Sequence, residues 1–181
     1  MRRRQLPRAL ISWLPDLAAG DTGLDQVFGL RPDLYDAFRA FYAVFWTRPL
    51  LDPVVLELCR LRVAQLVGCA TEVHVRYRVA RDAGLTETQI AALARWPDEP
   101  TFTDAQRAAL AFAEQFVLDP HGVDHALRDA VIDHFDLAGL VALCEALALF
   151  EGFGRFRTVL AVDGPTEPTL VAGPSPGGPL P

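Results

Sequence analysis

Between Arg31 and Val162 the apolar residues of this chain recur at spacings of three and four, punctuated by proline, glycine and short polar side chains. Such a period marks amphipathic helices, because side chains three and four apart share one face. Leu34, Phe38, Phe41, Tyr42 and Phe45 form one stripe, opened by Arg31-Pro32-Asp33 and stopped by Pro49. Asp52-Pro53 opens the next helix, with Asp52 as N-cap and Val54, Val55, Leu58, Leu61 and Leu66 as its buried stripe. Gly68 bends the chain before a helix expected from about Cys69 to Ala83, which Gly84 closes as a C-cap. Thr86 with Gln89 makes a capping box for the following helix. Thr103 caps another, carrying Ala109, Leu110, Phe112, Ala113 and Phe116 and ending near Asp119-Pro120. A shorter helix around Val123 to His134 leads to the last long one, about Leu137 to Val162. No alternating strand pattern of convincing length interrupts them. The expected fold class is all-α.

Composition then limits what such a bundle can do. A chain of 181 residues, 51% apolar and 22% charged, is long enough for one domain with a substantial core. Its formal charge of −6 argues against a nucleic-acid surface. The one basic cluster, Arg2-Arg3-Arg4 with Arg8, reads as a solvated terminus rather than a polyanion-binding arm. All 17 basic side chains are arginine, so no lysine is present to form a Schiff base. The apolar piece after those arginines is too short for an export signal, and no run reaches the ~18 residues of a membrane span. Three cysteines, Cys59, Cys69 and Cys144, fit a reducing cytosol better than a disulfide scaffold, so a cytoplasmic location and no membrane partner are expected. Residues 1–21 read as an N-terminal arm, 22–162 as the helical domain, and 163–181 as a Pro/Gly-rich tail with too little apolar surface to order itself.

Chemistry-bearing residues concentrate between Glu57 and Leu85, in ELCRLRVAQLVGCATEVHVRYRVARDAGL. Glu57 and, after eleven intervening residues, Cys69 stand in the order seen in the thiol peroxidase branch of the carboxymuconolactone decarboxylase and alkylhydroperoxidase D-like superfamily. The pattern Ala80, Arg81, Ala83, Gly84, Leu85, Thr86, Gln89, Ile90 and the run Phe102 to Glu114 also resemble that superfamily, and the resemblance covers most of residues 30–162. It implies a helical fold of about six to eight helices, assembled as a homo-oligomer, a trimer or a hexamer. Two departures stand out. The peroxidase branch carries Cys-x-x-Cys followed four residues later by histidine, whereas this chain has Glu72 and Arg76 at those positions. The decarboxylase branch places glutamate near position 72 with histidine four residues on, whereas here His74 follows after two. A dithiol cycle needs a resolving thiol, which position 72 does not supply.

On a regular helix Cys69, Glu72 and Arg76 share one face, while His74 points roughly 140° away from Cys69. The candidate site residues are therefore Cys69, Glu57, Glu72 and Arg76, with His74 available to a site shared between subunits. A cysteine at a helix N-terminus beside an arginine is more readily a thiolate, and nearby glutamates oppose that. Three functions stay open: a peroxidase-related single-thiol redox protein acting on peroxide; a cofactor-free lyase or isomerase of a small carboxylated substrate, using Glu57, Glu72 and His74; and a catalytically silent oligomeric member. Plainer readings accompany each residue: Cys69 as a core filler, Glu57 paired with Arg60, and Glu72 paired with Arg76 one turn on. His121, His125 and His134 have no cysteine nearby and carry no metal expectation, and Gly152 and Gly154 form no phosphate loop. No cofactor is expected.

Overall fold

The structure, a computed structural model, describes residues 23–48 and 50–174. The arm expected over 1–21 and the end of the tail lie outside the described residues. The elements run α1 (Leu24–Gly29), α2 (Pro32–Thr47), α3 (Pro53–Val67), β1 (Val75–Tyr77), α4 (Arg78–Asp82), α5 (Glu87–Ala92), α6 (Asp104–Leu118), α7 (His125–Val159) and β2 (Thr169–Val171). Short 3-10 turns at Leu93–Asp98 and Pro120–Gly122 flank α6. The fold is all-α, as the helical periodicity indicates.

Helix α3 is the axis of the core. The Asp52 carboxylate accepts from the Val54 N–H at 2.6 Å, and Pro53 occupies the first turn. From Val54 to Leu61 every residue is buried, so α3 has no wet face along that stretch, and it packs against both α6 and α7. Leu66, read as part of its stripe, is half-buried. Capping boxes at Thr86/Gln89 and Thr103/Gln106 start α5 and α6. Helix α7 is broken at Asp136, whose φ of 59° and ψ of −176° leave the helical region. It holds a stretch long and apolar enough to cross a membrane by composition, yet Leu143, Ala146, Leu147 and Phe150 are buried in the core. Helix α2 turns Tyr35, Tyr42, Phe45 and Trp46 inward, with the Trp46 and Tyr77 rings 4.6 Å apart. Leu34 and Phe41, read as part of that inward stripe, face out instead.

Two expectations fail. No helix runs from Cys69 to Ala83: residues 70–74 form turns, β1 follows, and α4 is only five residues long. The cause lies in α3, whose side chains take over the backbone groups that a helix would use. Arg60 Nη1 donates to the Glu72 carbonyl at 3.1 Å, Arg60 Nη2 to the Val75 carbonyl at 2.7 Å, and the Tyr77 N–H donates to Glu57 Oε1 at 3.1 Å. The alternation Val73-His74-Val75-Arg76-Tyr77 was the strand signal in the sequence. The tail, expected to be without order, is placed as far as Pro174. Its β2 pairs in parallel with β1, Val75 opposite Thr169 and Tyr77 opposite Val171, satisfying an edge that β1 otherwise leaves open.

Candidate functional site

The turn after α3 fixes where the thiol sits. Gly68 adopts φ 72°, the left-handed conformation a glycine takes at no steric cost, and Cys69 donates its N–H back to the Ala64 carbonyl at 3.0 Å. Cys69 thus follows the C-terminal cap of α3 and does not start a helix, so no helix N-terminus lies at its thiol. The thiol is 2% exposed. Helix α7 crosses beside it at Gly154, where an added Cβ would lie 3.6 Å from the Cys69 Cβ and 3.0 Å from Val67.

Cys69 lines a cavity of about 330 Å³ together with Thr71, His74, Arg157, Thr158 and the segment Asp163 to Thr166. His74 therefore borders the same space as Cys69, because the chain turns rather than spiralling between them. Arg76, placed with Cys69 by helical geometry, does not line this cavity. It lies on β1, donates Nη1 to the Val73 carbonyl at 2.6 Å, and stands 3.8 Å from Glu87. Burial lowers its pKa from the ordinary guanidinium value. The Glu72–Arg76 pair does not form.

Through Arg157 the cavity adjoins a buried network in which the two glutamates meet two arginines. Glu57 holds Arg60 with two parallel bonds, Nε to Oε2 and Nη2 to Oε1, both 2.8 Å. Glu72 bridges Arg60 Nη1 at 2.7 Å and Arg157 Nη1 at 2.5 Å. All four side chains are at most 5% exposed, and their formal charges cancel. The pKa of Arg60 is raised: burial opposes its charge, but the Glu57 and Glu72 carboxylates outweigh that. Tyr77 shares a hydroxyl contact of 3.2 Å with Tyr42, and burial pushes both phenols up. Of the sequence candidates, the structure groups Glu57 with Glu72 in this network and Cys69 with His74 at the cavity. Arg157 touches both, and the sequence offered no sign of it: its partner Glu72 is 85 residues away. Among the described residues no cluster of His, Cys, Asp or Glu is arranged to hold a metal ion.

Residues 32–115 match the model of the carboxymuconolactone decarboxylase family. The uncharacterized protein YnjA of Escherichia coli K12 is 34% identical over 116 residues, which cover 64% of this chain and 63% of YnjA. The uncharacterized protein YdfG of Bacillus subtilis 168 is 33% identical over 81 residues, covering 44% of this chain and 55% of YdfG. The chain thus spans less than two thirds of either relative. Among solved structures, the Agrobacterium tumefaciens protein ATU0492, of unknown function and described as a candidate antioxidant defence protein AhpD, superposes with a TM-score of 0.68. That match has 21% identity and covers 78% of this chain and 97% of the other. The debrominase Bmp8 in complex with 2,3,4-tribromopyrrole gives a TM-score of 0.62 at 18% identity, covering 79% of this chain and 76% of Bmp8. At these identities the two structures speak for the fold.

Proposed function

We propose that this chain, whose residues 32–115 match the model of the carboxymuconolactone decarboxylase family, is a single-thiol redox protein in which Cys69 reduces a small peroxide. One observation carries this reading. Cys69 and His74 border one cavity, whereas both candidate carboxylates are held in ion pairs. A lyase built on Glu57 and Glu72 needs a carboxylate that can pass a proton to substrate, and here both accept from buried guanidiniums.

In the proposed cycle the Cys69 sulfur attacks one peroxide oxygen. The S–O bond forms, the O–O bond breaks, and the departing alkoxide takes the thiol's proton, with His74 relaying it; imidazole is the side chain suited to that task near neutral pH. The products are an alcohol and a Cys69 sulfenic acid. Glu72 stands where a resolving thiol would be, so a low-molecular-weight thiol supplies the electrons. One molecule condenses with the sulfenic acid, releasing water and forming a mixed disulfide, and a second releases the disulfide product and restores Cys69.

The assay is peroxide consumption with an external thiol in excess. Cys69→Ser is expected to abolish it, and His74→Gln to slow it about tenfold or more. Consumption that survives in Cys69→Ser contradicts the proposal, and no consumption by the parent protein favours the silent member. The proposal also carries forward a cytoplasmic homo-oligomer, to which the exposed Phe41, Leu50, Leu137 and Val141 lend apolar surface; light scattering at assay concentration reads the oligomer directly.

A further inference from the structure

One wall of the Cys69 cavity comes from outside the helical core. Asp163, Gly164, Pro165 and Thr166, which follow α7, line it beside Cys69 and His74. Among the described residues, these contacts fasten the segment. Thr169 donates its N–H to the His74 carbonyl at 2.8 Å, β2 adds three residues in parallel pairing, and the Asp163 carbonyl accepts from Arg157 Nη2 at 3.4 Å. An isolated bridge joins Asp163 to Gly23. Thr169 and Leu170 are exposed and Val171 is half-buried, so little apolar surface holds β2 down. Short parallel pairs are weak, and a segment held this way opens at a small fraction of the global unfolding free energy. Gly164 seats the segment: a methyl group there would collide with Thr71 Cγ2 and lie 2.7 Å from Arg157 Nη2. Cys69 itself is almost sealed, at 2% exposure, although the cavity it borders is partly open to solvent and has room for a small molecule.

We infer that Asp163–Val171 is a strap over Cys69, and that lifting β2 from β1 uncovers the thiol to a reactant in the cavity. Through the strap, residues that never touch the sulfur decide what reaches it. The functional consequence rests on Cys69 being the reacting thiol; the access claim does not, and it is measured separately.

The experiment alkylates the full-length protein with iodoacetamide and follows each cysteine by peptide mass spectrometry, against the rates of the urea-unfolded chain. Cys59, 0% exposed in α3, gauges global unfolding. Cys69 is expected to react far faster than Cys59, independently of low urea, with a protection factor equal within a few fold to that of the Thr169 amide in hydrogen exchange. Thr169→Pro, which removes the donor to His74, and Gly164→Val are each expected to raise Cys69 labelling about tenfold or more while Cys59 stays protected. The strap is overturned if Cys69 in the parent protein labels only together with Cys59, or if Thr169→Pro leaves Cys69 labelling unchanged. If both variants lose the fold, the parent comparison decides: unequal protection of Cys69 and the Thr169 amide rejects the strap. A Cys69 that alkylates as expected yet consumes no peroxide rejects the redox reading alone.

Discussion

Glu72 stands where the peroxidase pattern has its second cysteine, and its carboxylate is divided between Arg60 and Arg157. Removing one member of a buried charge network leaves its partners uncompensated, at a cost of about 3–5 kcal/mol. Glu72→Gln is therefore expected to lower the urea-unfolding free energy by about that amount, because two guanidiniums lose their anion together. Arg155→Gln is the control. Its guanidinium is 61% exposed and pairs with Glu151 one turn away, so the change is expected to stay within about 0.5 kcal/mol. A Glu72→Gln protein of unchanged stability would mean that the network contributes nothing, and would return Glu72 to the candidates for proton transfer. At this scale the sequence was readable where partners are near in the chain. Glu57 with Arg60, three residues apart, was one of its two readings, whereas Arg157 could not be foreseen from Glu72.

Between elements, local chemistry decided the boundaries that the sequence made legible. Asp52, Gly68, Thr86 with Gln89 and Thr103 act where their side chains or backbone freedom suggest, because caps depend on neighbours within one turn. The break before Leu137 was legible too, and its agent is Asp136, whose carboxylate accepts from the Gly139 N–H at 2.9 Å and restarts α7. Asp136→Ala is expected to cost about 1–2 kcal/mol, since the cap is lost and an alanine must hold a positive φ, whereas Asp136→Asn keeps most of the stability. Equal melting points for the two variants would contradict that account. Residues 69–77 were misread for the opposite reason. Their helical spacing competes with hydrogen bonds offered by Glu57 and Arg60 on α3, and those long-range groups win. Likewise β2 exists only because β1 presents an edge, which nothing within the tail announces.

Over the whole molecule, neutral acids sealed in the core set an alkaline limit. Burial pushes the Cys59 thiol up to about 12 and raises the phenols of Tyr42 and Tyr77. Each loses its proton more readily in the unfolded chain, so unfolding releases protons as pH rises. Their contribution is complete below about pH 9 and is lost progressively as pH climbs toward the folded-state values. The urea midpoint is expected to fall steadily above about pH 9, with two of the three tyrosines forming phenolate only as the protein unfolds. Phenolate from all three in the folded protein would contradict the buried pair. The central claim is narrower: of three cysteines, the one at the end of α3 is where oxidant meets the protein. Its most direct test adds substoichiometric peroxide in the presence of dimedone and locates the adduct by mass spectrometry. The account predicts the adduct on Cys69 and none on Cys59 or Cys144; an adduct on Cys144, or none on Cys69 while peroxide disappears, contradicts it.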